Sequence, residues 1–116
     1  MVEQHIYDLL PADLPKVIGD LPGGSSNAVA IMLFDGAGNE EYFSSGTIFR
    51  PIIKIVVRNQ SYEMAQTQIN LIKQLLHKHH DDYFLSIMLS GYPLYLGKGE
   101  QKLHEFQIVF NIQTKE

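Results

Sequence analysis

Cysteine is absent from the 116-residue sequence, and with it every kind of site that needs a thiolate. A disulfide framework, a zinc ribbon, an iron–sulfur cluster and a cysteine nucleophile are therefore excluded. Positive charge is also scarce, because nine lysines and arginines stand against thirteen acids and give a net charge of −4. Proteins whose main task is to wrap duplex DNA normally carry a basic surplus, so we predict no specific nucleic-acid binding.

Long hydrophobic runs are missing as well. The longest unbroken apolar stretch, Ala28 to Phe34, has seven residues, whereas a helix that crosses a membrane needs about 20. The first residues also lack the basic and apolar regions of a secretory signal peptide. These features predict a soluble intracellular domain with no membrane partner.

What the sequence does contain is enough apolar material for one hydrophobic core. Hydrophobic residues make up 45% of the chain and charged residues 19%, a balance that excludes wholesale disorder. The length fits a single domain spanning residues 1–116. The hydrophobic patterns predict an α+β fold with a mixed or mainly antiparallel sheet and one long covering helix, in the order α-β-β-α-β-β-β.

Four segments make up the predicted domain. They are a short helix at 2–10, two strands within 28–58 that are separated by an arm at 35–46, a main helix at 62–79, and three strands within 83–113. The turn-forming run from Asp35 to Asn39 predicts a sharp break after the first of these strands. The residues from Lys16 to Ile18 are interpreted as a brief extended stretch outside this order.

The main helix has the clearest pattern in the chain. Ala65, Ile69, Ile72 and Leu76 recur at helical spacing, and Ser61 is a good N-cap residue. This stripe predicts the face of the helix that packs on the sheet. The predicted core as a whole comprises Ile31, Leu33, Ile53, Ile55, Ile69, Ile72, Leu76, Phe106, Ile108 and Phe110.

Five potential metal ligands crowd the end of this helix, namely His77, His79, His80, Asp81 and Asp82. Only His77 and His80 have the spacing that places two side chains on one helix face, and the helix is expected to end there. We therefore interpret the cluster as cations at a helix C-terminus followed by an aspartate turn, with no metal bound. The alternative is a small metal-dependent or ligand-binding enzyme that uses the residues from His77 to Asp82.

The glycine-rich segments carry no complete phosphate-binding motif. Gly36-Ala37-Gly38 and Gly97-Lys98-Gly99 each lie between two predicted strands and open no helix, so both are interpreted as hairpin turns. The serine pairs and the adjacent acids likewise form no nucleophile elbow and no acid–base dyad. We predict that the protein is not an enzyme and has no catalytic residues, no cofactor and no metal site.

Three basic residues share one face of the strand at 47–58, and the preceding arm carries two acids and two aromatic residues. They are Arg50, Lys54 and Arg58 on the strand and Glu40, Glu41, Tyr42 and Phe43 on the arm. We predict that these residues form an interface with another copy of the chain or with a partner, because in a head-to-tail assembly one chain presents both surfaces. The alternative is that the basic residues form a solvated outer face.

Two longer patterns resemble a known family. The first runs from Arg50 to Tyr62 as R-P-x-x-x-I-x-V-R-x-x-S-Y, and the second combines Leu96-Gly97-Lys98 with His104-Glu105-Phe106. Together with the surrounding residues from Gly19 to Ile112, they resemble the minor capsid or tail terminator proteins of tailed bacteriophages and prophages. The patterns concern folding and packing, and neither carries chemistry.

The resemblance implies a structural protein of the virion. Proteins of this family are expected to be α+β domains that assemble as a ring, commonly six-fold, at the head-proximal end of the tail. There they end tail-tube growth and help to join the tail to the head. The implied partners are further copies of the chain, the tail-tube protein and the head–tail connector, and the implied place of synthesis is the cytoplasm of the bacterial host. A stand-alone protein-interaction module is the remaining alternative.

Overall fold

The computed structural model describes residues 2–21, 27–42, 46–98 and 103–115, without the side chains of 34–42, 46–48 and 115. Two helices and six strands follow one another in these ranges. They are α1 (Val2–Leu9), β1 (Lys16–Ile18), β2 (Ala28–Tyr42), β3 (Gly46–Asn59), α2 (Tyr62–Leu76), β4 (Phe84–Leu89), β5 (Leu94–Lys98) and β6 (His104–Lys115). None of the helices in the described ranges is long and apolar enough to span a membrane.

The six strands form one sheet in the order β1-β2-β3-β6-β4, with β5 also paired to β6. Every pairing is antiparallel except that of β1 with β2. The predicted α+β class with a mainly antiparallel sheet is confirmed. Because β3 occupies one side of β6, and β4 and β5 pair with successive parts of β6, these two short strands share the same edge of the sheet.

The predicted element order is wrong at one place, because three strands precede α2 instead of two. The extra strand is β1, which pairs in parallel with residues 29–31 of β2. Val29 N–H donates to the carbonyl of Pro15 at 2.9 Å, and Gly19 N–H donates to the carbonyl of Ile31 at 2.8 Å. A strand of three residues is too short to show an alternating pattern, so its partner and not its own sequence defines it.

The start of the helix α2 follows from the sequence, whereas its end depends on the conformation of two residues after it. The side chain of Ser61 accepts a hydrogen bond from Met64 N–H at 3.2 Å and so caps the first turn. The residues Ala65, Ile69, Ile72 and Leu76 are buried against β3, β4 and β6. The helix ends at Leu76, three residues before the predicted bound, because His77 is extended and Lys78 has a φ of 67°.

The first helix also contributes to the core. The predicted single covering helix therefore accounts for only part of the layer above the sheet. Ile6 of α1 is fully buried, and α1 contacts β1 and β2. The Nζ of Lys16 donates to the carbonyls of Tyr7 and Leu10, each at 3.0 Å, and thereby satisfies the free carbonyls at the end of α1. The ring of His5 stacks on Tyr83 at 3.6 Å between centroids, just before β4 begins.

The core lies between the two helices and one face of the sheet. Nine of the ten predicted core residues are buried, and the exception is Leu33, whose side chain is 50% exposed. Leu33 pairs with Ile53 in the last regular step before β2 changes register. Because Ile53 is fully buried, the layer that covers the sheet still reaches β3 at this level but no longer covers β2.

The arm is a continuation of the sheet, and the predicted sharp break from Asp35 to Asn39 is wrong. The strands β2 and β3 remain paired as far as Tyr42 and Gly46. Two register shifts, between Leu33 and Asp35 and between Gly36 and Asn39, absorb the irregular residues as bulges. Pro51 of β3 stands opposite Gly36 at the second shift, which is where a central strand tolerates a residue without an N–H.

Candidate subunit interface

The three basic residues of β3 lie on one face, as their spacing predicts. Ile53, Ile55 and Val57 point into the core, and strand alternation turns the intervening residues to the opposite side. We call this side of the sheet, which carries Arg50, Lys54 and Arg58, the outer face. It is the side away from the helices.

The three residues differ in exposure. Arg50 and Lys54 are half-buried, whereas Arg58 is only 4% exposed. Each of the three already interacts within the chain, and Glu105 of β6 stands directly opposite Arg58 in the register. Opposite charges at directly paired positions favour the pairing of two strands. Within one chain Arg58 therefore belongs to the body of the sheet, and the basic surface that a second molecule can reach centres on Arg50 and Lys54.

A groove of about 300 Å³ lies on the outer face beside Arg50. It is formed by β3, β4 and β6 together, which places its wall across three neighbouring strands. The lining residues are Arg50, Pro51, Ile52, Ser86, Met88, Asn111, Ile112 and Gln113. A guanidinium, two amides and a hydroxyl beside apolar side chains suit a segment that offers both carboxylates and apolar groups.

The predicted acidic partners lie on the arm. Glu40 and Glu41 of β2 pair with Ile48 and Thr47 of β3, and Tyr42 pairs with Gly46. Phe43 lies outside the described residues. Lys54 is six positions along β3 from Ile48, and this separation corresponds to roughly 20 Å at the rise of a strand. A contact between Lys54 and Glu40 is therefore possible only between two copies of the chain.

The aspartate of the histidine–acid cluster organises a turn. Asp81 Oδ1 accepts hydrogen bonds from the N–H groups of Tyr83 and Phe84, each at 2.8 Å, and its Oδ2 lies 2.8 Å from His79 Nε2. The hydrogen bond from Phe84 N–H, followed by the bond to His79, lowers the pKa of Asp81 from 3.8 to about 2. These contacts match the predicted aspartate turn and start β4.

His77 has a separate structural contact. Its Nδ1 accepts a hydrogen bond from Leu89 N–H at 3.0 Å and thereby ties the end of α2 to the end of β4. In the described part of the chain, no three histidine or acid side chains gather in a way that could hold a metal ion. The contacts of His77, His79 and Asp81 thus favour the interpretation as a helix end and turn over the metal-dependent enzyme.

A family model described as bacteriophage tail terminator protein matches residues 5–116. The chain belongs to this family. A chain in a solved structure titled virion of native gene transfer agent (GTA) particle has a similar fold, with a TM-score of 0.67 and 11% sequence identity. That match covers 96% of this tail terminator family member and 92% of the other chain. No curated protein matches the sequence.

Membership of the tail terminator family confirms the resemblance seen in the sequence and identifies a structural protein of phage-type tails. The residues of the first pattern serve the fold: Ile55 and Val57 are in the core, Arg58 is buried in the sheet, and Ser61 caps α2. Membership of a structural family also agrees with the prediction that the protein is not an enzyme.

Sequence reasoning gave no role to an apolar surface around β5. Tyr92 is 90% exposed, and Leu94, Tyr95 and Leu96 follow it with large exposed side chains. The signal was present in the sequence, because Tyr92, Leu94 and Leu96 recur at every second position and so place three large apolar side chains on one face of an extended segment. In this tail terminator family member the surface lies on the edge of the sheet.

Proposed function

We propose that this protein forms a ring through contacts between its own copies, ends the growth of the tail tube and helps to join the tail to the head. The observation that carries the proposal is the tail terminator family match over residues 5–116. The fold shared with a chain of a gene transfer agent virion agrees with a place in a phage-like particle. The partners are then further copies in a ring, commonly six-fold, together with the tail-tube protein and the head–tail connector, in a virion assembled in the bacterial host.

The contact between copies uses the predicted interface residues. In a head-to-tail ring, the arm that carries Glu40, Glu41, Tyr42 and Phe43 of one copy meets the outer face of the next copy. There the groove beside Arg50 receives carboxylates and apolar groups, and Lys54 follows Ile52 of the groove two positions further along β3. Because roughly 20 Å separate Lys54 and Glu40 within one chain, these two residues can meet only between copies. A head-to-tail interface of this kind closes into a ring when the rotation allows it.

Tube assembly in vitro tests the function directly. The tail-tube protein of the same phage or prophage is polymerised with and without this protein, and tube lengths are measured by electron microscopy. We expect added protein to stop elongation and to remain at one end of each tube as a ring. Tubes that grow to the same lengths in its presence, with no density at their ends, would contradict the proposal.

The mass of the protein, in solution and on tubes, distinguishes a tail terminator from the remaining alternative, a stand-alone interaction module. A stand-alone interaction module stays monomeric under both conditions, whereas a terminator forms a ring at least when the tube end is present. Light scattering of the isolated protein and electron microscopy of capped tubes give the two masses.

A further inference from the structure

The most exposed apolar surface of the described chain lies on β5. The side chains of Leu94 and Leu96 are 56% and 45% exposed, and Tyr92 just before the strand is exposed almost completely. Large apolar side chains that cluster on a surface usually mark a contact with another molecule. We call the segment from Tyr92 to Lys98 the β5 edge.

This segment also offers main-chain hydrogen bonds. Among the described strands, β5 pairs with β6 alone, so its other side carries no strand. An edge of this kind is a template for the addition of a strand from another molecule.

The β5 edge is held in place and needs no rearrangement to accept a strand. The Oη of Tyr95 lies 2.8 Å from Nδ1 of His104 on β6. The ring of Tyr62, at the start of α2, packs against Tyr95 and Phe106 with centroids 5.2 and 5.3 Å apart. These contacts fix β5 against both β6 and α2, and a preorganised edge loses less entropy when it binds.

The opposite side of the same sheet ends in a second open edge. Among the described strands, β1 pairs with β2 alone. Ile18 at the end of β1 is 38% exposed, and the turn before the strand carries the exposed Asp13. Each chain thus has two different edges, which is what a head-to-tail assembly requires.

We propose that the β5 edge of one copy pairs with β1 of the next copy, so that the sheets of neighbouring copies are continuous around the ring. The inference rests on the proposed ring and names the strands that form it. It differs from the contact between the arm and the outer face, because it uses the edges of the sheet and not its surface.

The strand directions fix the orientation of this pairing. Within one chain β1 is parallel to β2, and the successive antiparallel pairings of β2, β3, β6 and β5 make β5 run opposite to β1. For a ring whose axis runs along the strands, rotation to the next copy leaves these directions unchanged. The β1 strand of the next copy is therefore antiparallel to β5.

Charge and apolar side chains both agree with the antiparallel orientation. The exposed Lys98 at the end of β5 comes to the start of the neighbouring β1, where Asp13 precedes the strand. The apolar start of β5, with Tyr92 and Leu94, comes to the end of that β1, where Ile18 is exposed. Opposite charges at one end and apolar groups at the other favour this alignment over its reverse.

Engineered cysteines test the pairing without background, because the natural chain has none. Val17 pairs with Ala30, and Leu94 pairs with Gln107, so both positions lie on the outer face and meet if the edges join. The double variant Leu94→Cys/Val17→Cys is oxidised mildly or treated with a short bis-maleimide. The bis-maleimide can still link the two cysteines if the pairing is shifted by two residues, whereas a disulfide is too short to do so.

We expect the double variant to give a ladder of covalent oligomers on denaturing gels that ends at the size of the ring. Leu94→Cys/Gln74→Cys is the matched control, since Gln74 is exposed on α2 and lies about 18 Å along the helix from Tyr62, where α2 contacts β5. It should give only the slow dimers of random collisions. The reactions are run on the isolated protein and on capped tail tubes, with the mass of each sample measured beforehand.

The outcomes separate this inference from the proposed function. Rings that form normally but give no ladder would overturn the edge pairing and leave the proposed function in place. Efficient dimers of the single variant Leu94→Cys would show that two β5 edges meet each other, which also overturns it. Samples with no ring, both alone and on tubes, would overturn the proposed function itself.

Discussion

Ile72 is the residue at which the packing of α2 on the sheet is best tested. It is fully buried and belongs to the cluster that joins both helices to the sheet. We expect Ile72→Ala to lower the free energy of unfolding by about 2–5 kcal/mol, since it removes apolar contacts and leaves a cavity. Urea denaturation measures the change, and Gln66→Ala on the exposed side of the same helix is the control. A loss below about 1 kcal/mol for Ile72→Ala would show that the helix face is assigned wrongly.

Asp81 should make the free energy of unfolding depend on pH at the acid end. Its folded-state pKa of about 2 is below the usual 3.8, so the folded state favours the ionised carboxylate. The stabilisation is complete above pH 3.8 and is lost as the pH falls towards 2. Because the carboxylate is partly exposed and screened by solvent, we expect Asp81→Asn to cost less than about 1 kcal/mol at pH 7.

Denaturation of the natural chain and of Asp81→Asn between pH 7 and pH 2 checks this expectation. The difference between the two proteins should shrink over the lowest two pH units. Asp82→Asn makes the same chemical change at the neighbouring exposed residue and serves as the control. A difference that stays constant across the range would mean that the turn does not depend on the charge of Asp81.

At the scale of elements, the bond between His77 and Leu89 holds two elements together. It is the point at which the end of α2 is fastened to β4, and Leu89 is half-buried. His77→Ala leaves the Leu89 N–H without its acceptor, which we expect to cost about 1–3 kcal/mol. His77→Asn places an amide oxygen close to the lost Nδ1 and should recover part of this. Urea denaturation and hydrogen exchange of the Leu89 amide give the two readouts, and equal losses for both variants would contradict a role for the acceptor.

The elements with strong periodicity could be predicted from the sequence. The helical spacing of Ala65, Ile69 and Ile72 gave α2 and its buried face, and the alternation from Phe106 to Ile112 gave β6. The end of α2 could not be placed to the residue. It depends on the left-handed conformation of Lys78, a residue type that has no preference for this conformation.

Features that depend on a neighbouring strand could not be predicted from the sequence. The strand β1 exists because β2 lies beside it, and the bulges after Leu33 let β2 continue where turn-forming residues predicted a break. The exposure of Arg58 has the same origin. Strand alternation assigns it to the outer face correctly, but its burial depends on how the strands around it are arranged. The sequence therefore predicted which residues share the outer face, but it did not predict the groove beside Arg50.

At the scale of the whole molecule, Lys54 lies too far along β3 from Glu40 of its own chain to contact it, so the two residues can meet only between copies. Lys54→Glu should weaken the ring, because it would bring a third acid to Glu40 and Glu41 of the next copy. The effect should be larger at low salt than at high salt. Light scattering across a salt series measures it, with Lys78→Glu as the control for an equal change in charge at an exposed residue.

Two further variants distinguish the effect of the Lys54 charge on the ring from the contribution of its side chain to the stability of the fold. Lys54→Gln removes the charge with little change in size, so its stability shows how far the half-buried side chain supports the sheet itself. Lys54→Glu combined with Glu40→Lys should recover part of the ring. Rings of Lys54→Glu that are as stable as the natural ones at every salt concentration would remove Lys54 from the interface.

The groove on the outer face allows the sharpest test of the contact between copies, because one of its lining residues is an exposed asparagine. Asn111→Asp keeps the size of the side chain and adds a negative charge beside Arg50 in the groove. If the groove receives the acids of a neighbouring arm, the new carboxylate repels them and also competes for the guanidinium. The ring should then dissociate at lower dilution than the natural one, again more clearly at low salt.

The exposed Asn70 on α2 offers the same substitution away from the outer face, and Asn70→Asp should leave the ring unchanged. Asn111→Lys reverses the sign of the added charge and should stabilise the ring against dilution. The fold should survive all three changes, since exposed positions typically shift the free energy of unfolding by less than about 0.5 kcal/mol. Equal dissociation of the Asn111→Asp and Asn111→Lys rings would mean that no acidic segment enters the groove, and the arm would then have to bind elsewhere on the neighbouring copy.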